Sequence, residues 1–361
     1  MKSRCYFDYN ATAPLRSVAQ AAMLAAMDLS GNPSSIHAEG RAAKALVERA
    51  RAQVAEAVGC KVSEVIFTSG ATEAASVLDR LSDGVDVFVQ DTAHDALLSH
   101  MNLSNWQAAP DGPGHVLAMG YANSETGIVT PPPEKVDGHW PYGAQARADW
   151  LLLDLSQTIG RVPFSFAWSG ADLAILSAHK LGGPKGVGAL IVREGLDIAP
   201  LATGGGQEMG RRSGTENTIG IAGFGAAVAA ASRDLADGAW NRVEKLRNIL
   251  ETTLEASAKE TIFVGKAKTR LPNTSCVLTP GWKGETQVMQ MDLAGFAISA
   301  GSACSSGKVK SSAVLRAMGF SEAEAGSAIR VSLGPETTES QVMQFCDAWL
   351  AQHTKFRARA A

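Results

Sequence analysis

The sequence predicts an α/β fold: a large domain with a mainly parallel sheet, and a smaller α+β domain at the C-terminal end. Two observations predict it. Short apolar runs of strand length alternate with segments of helical spacing through most of the chain, the pattern of a parallel sheet covered on both faces. After a long helical stretch the pattern changes to strand runs, a glycine-flanked loop and a final helix.

The elements follow in order. Ala42–Ala57 is Ala-rich, with Leu46, Val47, Ala50, Val54 and Ala57 at helical spacing. Val65–Thr68 is a short apolar run, and Ser69-Gly70-Ala71-Thr72-Glu73 turns from it into another helical stretch. Val87–Val89, His115–Ala122, Trp150–Asp154, Leu173–Leu176 and Gly188–Val192 read as further strands, and Pro131-Pro132-Pro133 marks a loop. Asn217–Ala258 is mostly helical with a break near Asp237-Gly238. Beyond it come Thr274–Leu278, Gln287–Leu293, the Gly301–Gly307 loop, Ile329–Leu333 and a last helix from Glu339 to about Gln352. Residues 14–237 form the large domain in this reading, and 1–13 with 238–361 form the small one.

Composition excludes several function classes. The chain has 361 residues, is 45% hydrophobic and 19% charged, and carries a formal net charge of −3. There is no basic surplus to neutralise a nucleic-acid backbone. The start, Met1-Lys2-Ser3-Arg4-Cys5-Tyr6, has no apolar h-region of a signal peptide. The apolar stretch Ile219–Ala231 is too short to span a bilayer and reads as a buried helix. Cys5, Cys60, Cys276, Cys304 and Cys346 are odd in number and form no CxxC pair, which argues against a disulfide framework or a zinc site and fits a reducing cytoplasm.

Chemistry concentrates around Ser177-Ala178-His179-Lys180, followed by Gly182-Gly183-Pro184-Lys185-Gly186-Val187-Gly188. A lysine after an apolar strand, inside a Gly-rich turn, is placed to be desolvated, which lowers its pKa and makes the amine a nucleophile towards an aldehyde. Taken alone, it is equally a surface loop lysine. Upstream, Leu151-Leu152-Leu153-Asp154-Leu155-Ser156-Gln157 ends an apolar strand in an acid. A pyridoxal-phosphate site needs a carboxylate that keeps the pyridinium protonated, and strand ends are where ligands sit in open α/β sheets. Asp154 also suits a helix N-cap. The strand–helix turn Ser69–Thr72 offers backbone N–H groups and a hydroxyl to a phosphate.

With these residues in place, the chain resembles the cysteine desulfurases of the NifS and IscS type, fold-type I pyridoxal-phosphate enzymes of the class V aminotransferase-like group. The resemblance spans nearly the whole length. It rests on Tyr6-Phe7-Asp8-Tyr9-Asn10-Ala11-Thr12, Gly31-Asn32-Pro33-Ser34-Ser35-Ile36-His37 and Phe67-Thr68-Ser69-Gly70-Ala71-Thr72-Glu73. It continues through Ser177–Lys180, Gly204-Gly205-Gly206-Gln207-Glu208 and Arg212-Ser213-Gly214-Thr215-Glu216-Asn217 to Gly301-Ser302-Ala303-Cys304 and Ile329-Arg330-Val331-Ser332-Leu333-Gly334.

The resemblance implies roles. Lys180 carries pyridoxal 5′-phosphate as a Schiff base and moves protons. Asp154 faces the ring nitrogen and Gln157 the ring hydroxyl. His94 stacks on the ring and serves acid–base steps; without the resemblance it reads as a structural or surface histidine. Ala71, Thr72, Ser177 and His179 bind the phosphate end. Thr215 reaches the phosphate of the neighbouring subunit, which implies a homodimer. Cys304, in a small-residue loop, attacks the sulfur of L-cysteine and keeps it as a persulfide for an acceptor, an iron–sulfur scaffold, a tRNA-thiolation enzyme or a sulfur relay protein. Such a partly exposed cysteine is where a reactive thiolate is found. Arg330 pairs with the substrate carboxylate; alone it reads as a surface strand residue. Cys5, Cys60, Cys276 and Cys346 are structural, and no metal is expected.

The chain departs from the family pattern in four places. Asn123-Ser124 stands where two asparagines are usual, the second contacting the cofactor, and Ala75-Ser76 replaces Asp-Asn. The stretch between His94 and Asn123 is short, and the chain ends soon after the helix around Trp349. The rival readings are a selenocysteine lyase, an aminotransferase, which needs no such thiol, and a non-catalytic regulatory homologue.

Overall fold

The computed structural model describes residues 4–81, 85–102, 114–143, 146–301 and 311–360. They form two compact units, one of Pro14–Tyr121 with Thr130–Arg233, the other of Met1–Ala13, Ala122–Val129 and Asp234–Ala361.

The larger unit is built on a six-stranded sheet. Its strands are β1 (Val65–Thr68), β2 (Asp86–Val89), β3 (His115–Gly120), β4 (Trp150–Asp154), β5 (Leu173–Ser177) and β6 (Gly188–Val192). The spatial order is β1-β6-β5-β4-β3-β2. Pairs β2–β3, β3–β4 and β4–β5 are parallel, whereas β6 runs antiparallel to both β5 and β1. The expected mainly parallel sheet therefore contains one reversed strand. β1, β5 and β6 are buried at every residue, as strands covered on both faces are. One core layer holds Val47, Val54, Leu151, Leu153, Phe224 and Val228, the other Ile66, Val87, Leu97, Leu152 and Ile175.

The first long helix spans Ala38–Val58 and starts earlier than its apolar spacing suggested. His37 is the reason: its Nδ1 accepts from the Gly40 N–H at 3.3 Å and caps the first turn. Gly59 ends the helix in the left-handed conformation, φ 73°. The apolar stretch read as too short for a bilayer lies in a 19-residue helix, Thr218–Ala236, long and apolar enough to cross one by length and composition. Half of its most apolar window is buried. Its glycines seat it on the core: a Cβ at Gly223 would lie 2.7 Å from Met23, and one at Gly225 would lie 2.7 Å from Ala50. The helix Ser17–Met27 and the hairpin Trp140–Tyr142 with Ala146–Ala148 were not foreseen. The helix is small and apolar on nearly every side, so no face stands out in its periodicity.

The smaller unit has a four-stranded sheet of β7 (Ile262–Phe263), β8 (Thr274–Leu278), β9 (Ser299–Ala300) and β10 (Ala328–Ser332), ordered β7-β8-β10-β9 and wholly antiparallel. Cys5–Tyr6 pairs in parallel with Phe296–Ala297. Helices Ala239–Ser257, Gly284–Leu293 and Glu339–Ala360 supply the rest of its core around Phe345, Trp349 and Leu250. The last helix runs past the expected end near Gln352. The reading by sequence left Ala122–Val129 with the large domain; it belongs to the smaller unit. The Leu271 N–H donates to the Gly127 carbonyl at 2.7 Å, and the Val129 N–H donates to Thr269 at 2.9 Å. Gly127, at φ 74°, lets the segment lie against Thr274, which a Cβ would meet at 2.7 Å.

A buried ion pair anchors the 204–214 loop in the larger unit. Arg51 donates to both Glu208 oxygens at 2.6 and 2.8 Å and to the Val65 carbonyl at 2.9 Å, and Glu208 also accepts the Phe67 N–H at 2.8 Å. Glu208 and Met209 sit at positive φ, 48° and 59°, so the loop is held in a backbone shape that non-glycine residues rarely adopt. Removing one partner strands a buried charge. Arg51→Met should destabilise the protein by about 3–5 kcal/mol, with Glu208→Gln in the same chain recovering much of it, as read from urea unfolding midpoints.

Candidate active site at the strand ends

All five parallel-running strands of the large sheet end on one edge, and β6 begins there. The register aligns Thr68 with Gly188, Gly188 with Ser177, Ile175 with Asp154, and Asp154 with Gly120. Ser177, Asp154 and the Ser69–Thr72 turn therefore stand on one rim of the sheet, where α/β folds bind ligands. Gly188 brings the turn close. A Cβ there would lie 2.6 Å from both the Gly70 Cα and the Leu176 carbonyl oxygen. Gly70 in turn faces Ser177, with its own would-be Cβ 3.9 Å from the hydroxyl.

Lys180 ends a short 3-10 turn, Ala178–Lys180, immediately past β5. The Ala178 carbonyl accepts the N–H groups of Leu181 at 3.1 Å and Gly183 at 2.9 Å, and the Ala178 N–H is held by Val187 at 3.0 Å. Arg16 clasps the far side: its N–H donates to the Gly182 carbonyl at 2.9 Å and its Nε to the Leu181 carbonyl at 2.8 Å. Gly182 is at φ 89°, with Arg16 where a Cβ would go.

Asp154 is the last residue of β4, and its Oδ1 accepts the Ser156 N–H at 2.9 Å. The carboxylate thus bonds within its own turn; no helix starts there, so it is not the helix N-cap that the sequence also allowed, and it stays on the rim. Gln157 is buried in that turn, and its Oε1 accepts from Arg161 at 2.6 Å. His94 lies past β2 as the N-cap of Asp95–Leu98, its Nδ1 accepting the Ala96 N–H at 3.1 Å. That bond places the proton of the neutral ring on Nε2. Ala71 and Thr72 open the helix Ala71–Ala75. Thr215 lines an adjoining cavity of about 250 Å³ with Thr68, Ser69 and Arg212. Arg212 is fixed by Glu73, Nε to Oε1 at 2.8 Å, and Glu73 also takes the Ser69 N–H at 2.5 Å. A larger concavity, about 700 Å³, is lined by Lys44, Glu48, Arg51 and Glu208, away from the strand ends.

The donor set suits a phosphorylated pyridine aldehyde: an amine, a carboxylate, an amide, an imidazole and hydroxyls along one rim. The Ser156 hydroxyl is buried with no partner among the described residues, a polar group that a ligand at this turn would satisfy. No group of three His, Cys, Asp or Glu side chains that could hold a metal occurs among the described residues.

Two further expected residues belong to the smaller unit. Arg330, on β10, is buried, contrary to its reading as a surface strand residue. Its Nη2 donates to Asp8 at 2.8 Å and its Nη1 to the Ser124 carbonyl at 3.2 Å, while Nε is buried without a partner. Ser124 contributes its carbonyl, which also accepts from Asn10 Nδ2 at 3.0 Å. Cys304 lies outside the described residues. Burial pushes the Cys60 and Cys346 thiols up to about 12, and raises Cys5 and Cys276 as well, so none of these four supplies a thiolate near neutral pH. The sequence reading missed Arg161, Arg16 and Asp8. Arg161 stands four residues after Gln157, a spacing that brings side chains together in a helical turn; Asp8 lay inside a quoted motif without a role.

His179 follows Ser177 on the rim. Burial above all, then Lys180, Lys185 and Arg161, lower its pKa to about 4. The unfolded chain binds a proton there near pH 6.5, and the folded apoprotein does not until pH 4, so stability falls as pH drops through that window. His179→Gln should flatten this part of the apoprotein's Tm-against-pH profile.

The chain is similar to known proteins. The family described as Aminotransferase class-V matches residues 5–109 and 81–345. A cysteine desulfurase of Frankia sp. (strain EuIK1) is 39% identical over 95% of this chain and 89% of its own length. The cysteine desulfurase IscS of Dictyoglomus turgidum is 33% identical over 95% of this chain and 92% of its own. A solved NifS-like protein superposes with a TM-score of 0.84 at 30% identity, covering 97% of this chain and 99% of that one. A second, from Rickettsia africae, gives 0.83 at 28% identity with the same coverage. The chain belongs to the class V aminotransferase family and, within it, to the pyridoxal-phosphate-dependent cysteine desulfurases.

Proposed function

We propose that this chain takes sulfur from L-cysteine, releases L-alanine and keeps the sulfur as a persulfide on Cys304 for transfer to an acceptor. The observation that carries the site assignment is the pairing of β4 with β5, which sets Asp154 and the Lys180 turn on the same rim. Pyridoxal phosphate, when bound, supplies an electron sink for the substrate's α-carbon. Lys180 holds the cofactor and moves the α-proton. Asp154 keeps the ring nitrogen protonated, and Gln157 donates to the ring oxygen. His94, its Nδ1 committed to the Ala96 N–H, would hold the ring and serve acid–base steps through Nε2. Ala71, Thr72, Ser177 and His179 would hold the phosphate. Arg330, with its orphaned Nε, takes the substrate carboxylate, and Ser124 approaches the cofactor in place of the usual asparagine. In the sulfur step the Cys304 thiolate forms an S–S bond as the substrate's C–S bond breaks, and the substrate carbon is protonated to alanine.

The acceptor is an iron–sulfur scaffold, a tRNA-thiolation enzyme or a sulfur relay protein, and the compartment a reducing cytoplasm, in which free thiols such as Cys5, Cys60, Cys276 and Cys346 persist. The working form is a homodimer in which Thr215 reaches the neighbour's phosphate. Its support is a run of exposed apolar residues in the larger unit: Leu24 and Met27 at 57% each, with Leu15 and Val18 beside them. Helix Ser17–Met27 carries no charge, and an uncharged apolar face of this kind marks an interface.

Two measurements test the proposal. The wild type should release alanine and sulfide from L-cysteine under a thiol reductant, while Cys304→Ser keeps the cofactor's colour and loses turnover; a Cys304→Ser enzyme that still turns over removes that residue from the sulfur step. Leu24→Glu with Met27→Glu should convert the dimer to monomer in light scattering, and a wild type already monomeric refutes the shared site.

A further inference from the structure

The turn after β4 contains a buried cation that the roles above leave unused. Arg161 is 3% exposed and Gln157 is 5% exposed. The guanidinium spans two elements: Nη1 donates to Gln157 Oε1 at 2.6 Å, and Nη2 donates to the Lys180 carbonyl oxygen at 2.7 Å. One planar fork thus ties the residue assigned to the ring hydroxyl to the backbone of the residue that carries the cofactor. The turn is built for this approach. Gly160, at φ 74°, lies against Ala231, whose Cβ a side chain at 160 would meet at 2.5 Å. The Arg161 N–H is held by the Thr158 carbonyl at 3.0 Å, and Thr158 by Leu155 at 2.9 Å.

We propose that Arg161 is a positioning residue for the cofactor site, fixing the side-chain amide of Gln157 so that its NH₂ group, and not its carbonyl, is presented to the ring oxygen. The proposal rests on the reading that Gln157 faces that oxygen. An amide has a donor arm and an acceptor arm, and its two flips differ little in shape. A guanidinium has donors only, so it binds Oε1 and leaves Nε2 on the opposite arm. With the amide flipped, two donors would face each other across 2.6 Å, and the ring oxygen would meet a carbonyl. The second prong, on the Lys180 carbonyl, keeps this orientation in register with the lysine turn. Lysine at position 161 would keep the charge but lacks the fork that bridges two acceptors. The same cation adds to Lys180 and Lys185 in opposing a charge on His179, behind the larger effect of burial.

The test reads the cofactor, not turnover. The visible absorbance of the lysine-bound cofactor titrates with pH, and an N–H donor to the ring oxygen lowers the midpoint by weakening that oxygen's hold on the neighbouring proton. Arg161→Lys in the holoenzyme should raise the midpoint by about one pH unit. Gln157→Leu should raise it by a similar amount. The two together should shift it no further, since the arginine acts through the amide. If Gln157→Leu shifts the midpoint and Arg161→Lys does not, the ring contact of Gln157 stands and the clamp is overturned. If neither shifts it, the assignment of Gln157 fails and the clamp with it. Additive shifts also overturn the proposal, because Arg161 would then act independently of Gln157. Should Arg161→Lys lose the cofactor altogether, the Gln157→Leu background decides: loss there too means that the arginine is only a structural staple, whereas retained binding there shows that its effect runs through the amide.

Discussion

Gly188 is paired at once with Ser177 on one side and Thr68 on the other, and no side chain fits there. A Cβ would press into Gly70 and the Leu176 carbonyl. This close approach organises the larger unit's site. It brings the Ser69–Thr72 turn down onto the end of β5, so that groups from two non-adjacent strands meet. β6 returns antiparallel directly beside β5, which closes residues 178–187 into a short loop at the sheet edge. A long crossover, which a parallel return requires, would leave Lys180 far less constrained. The reversed strand in a mainly parallel sheet is therefore part of how the lysine is held.

The loop is then fixed from three directions, each using backbone. Ala178 accepts two N–H groups from within it, Arg16 holds the carbonyls of Leu181 and Gly182, and Arg161 holds that of Lys180. These bonds all fall on the main chain of the turn that carries Lys180. Backbone bonds of this kind preorganise the turn on which Lys180 stands.

Much of this was legible in sequence because it resides in short local strings. β1, β4, β6 and β8 occupy the stretches where apolar runs of strand length were read, since a fully buried strand leaves a contiguous signature. Lys180 and Asp154 follow such runs directly. What was not legible depends on partners distant in sequence. Nothing local says that Arg16 serves a loop near residue 182, or that Asp8 meets Arg330. The assignment of Ala122–Val129 failed for the same reason: its sequence neighbours lie in the large sheet, while its hydrogen bonds go to residues 269–271. Helix ends moved where caps decided them, at His37 and Gly59.

The departure at Ser124 takes a different weight in this light. In the smaller unit the Ser124 carbonyl accepts from both Arg330 and Asn10, and Asn10 is tied on to Thr274 and Asn273. Those bonds belong to the main chain and survive any side chain at 124. They fix the guanidinium of Arg330 from one side while Asp8, itself bonded to Ser299, fixes it from the other. A buried arginine whose charge is paired by one carboxylate keeps its desolvation cost compensated. The unpartnered Nε still offers a donor to a second acceptor. The guanidinium is thus held stably while buried and keeps one donor for a further acceptor. The network does this without the side chain that departs from the family, so substitution at 124 leaves the arrangement around Arg330 in place.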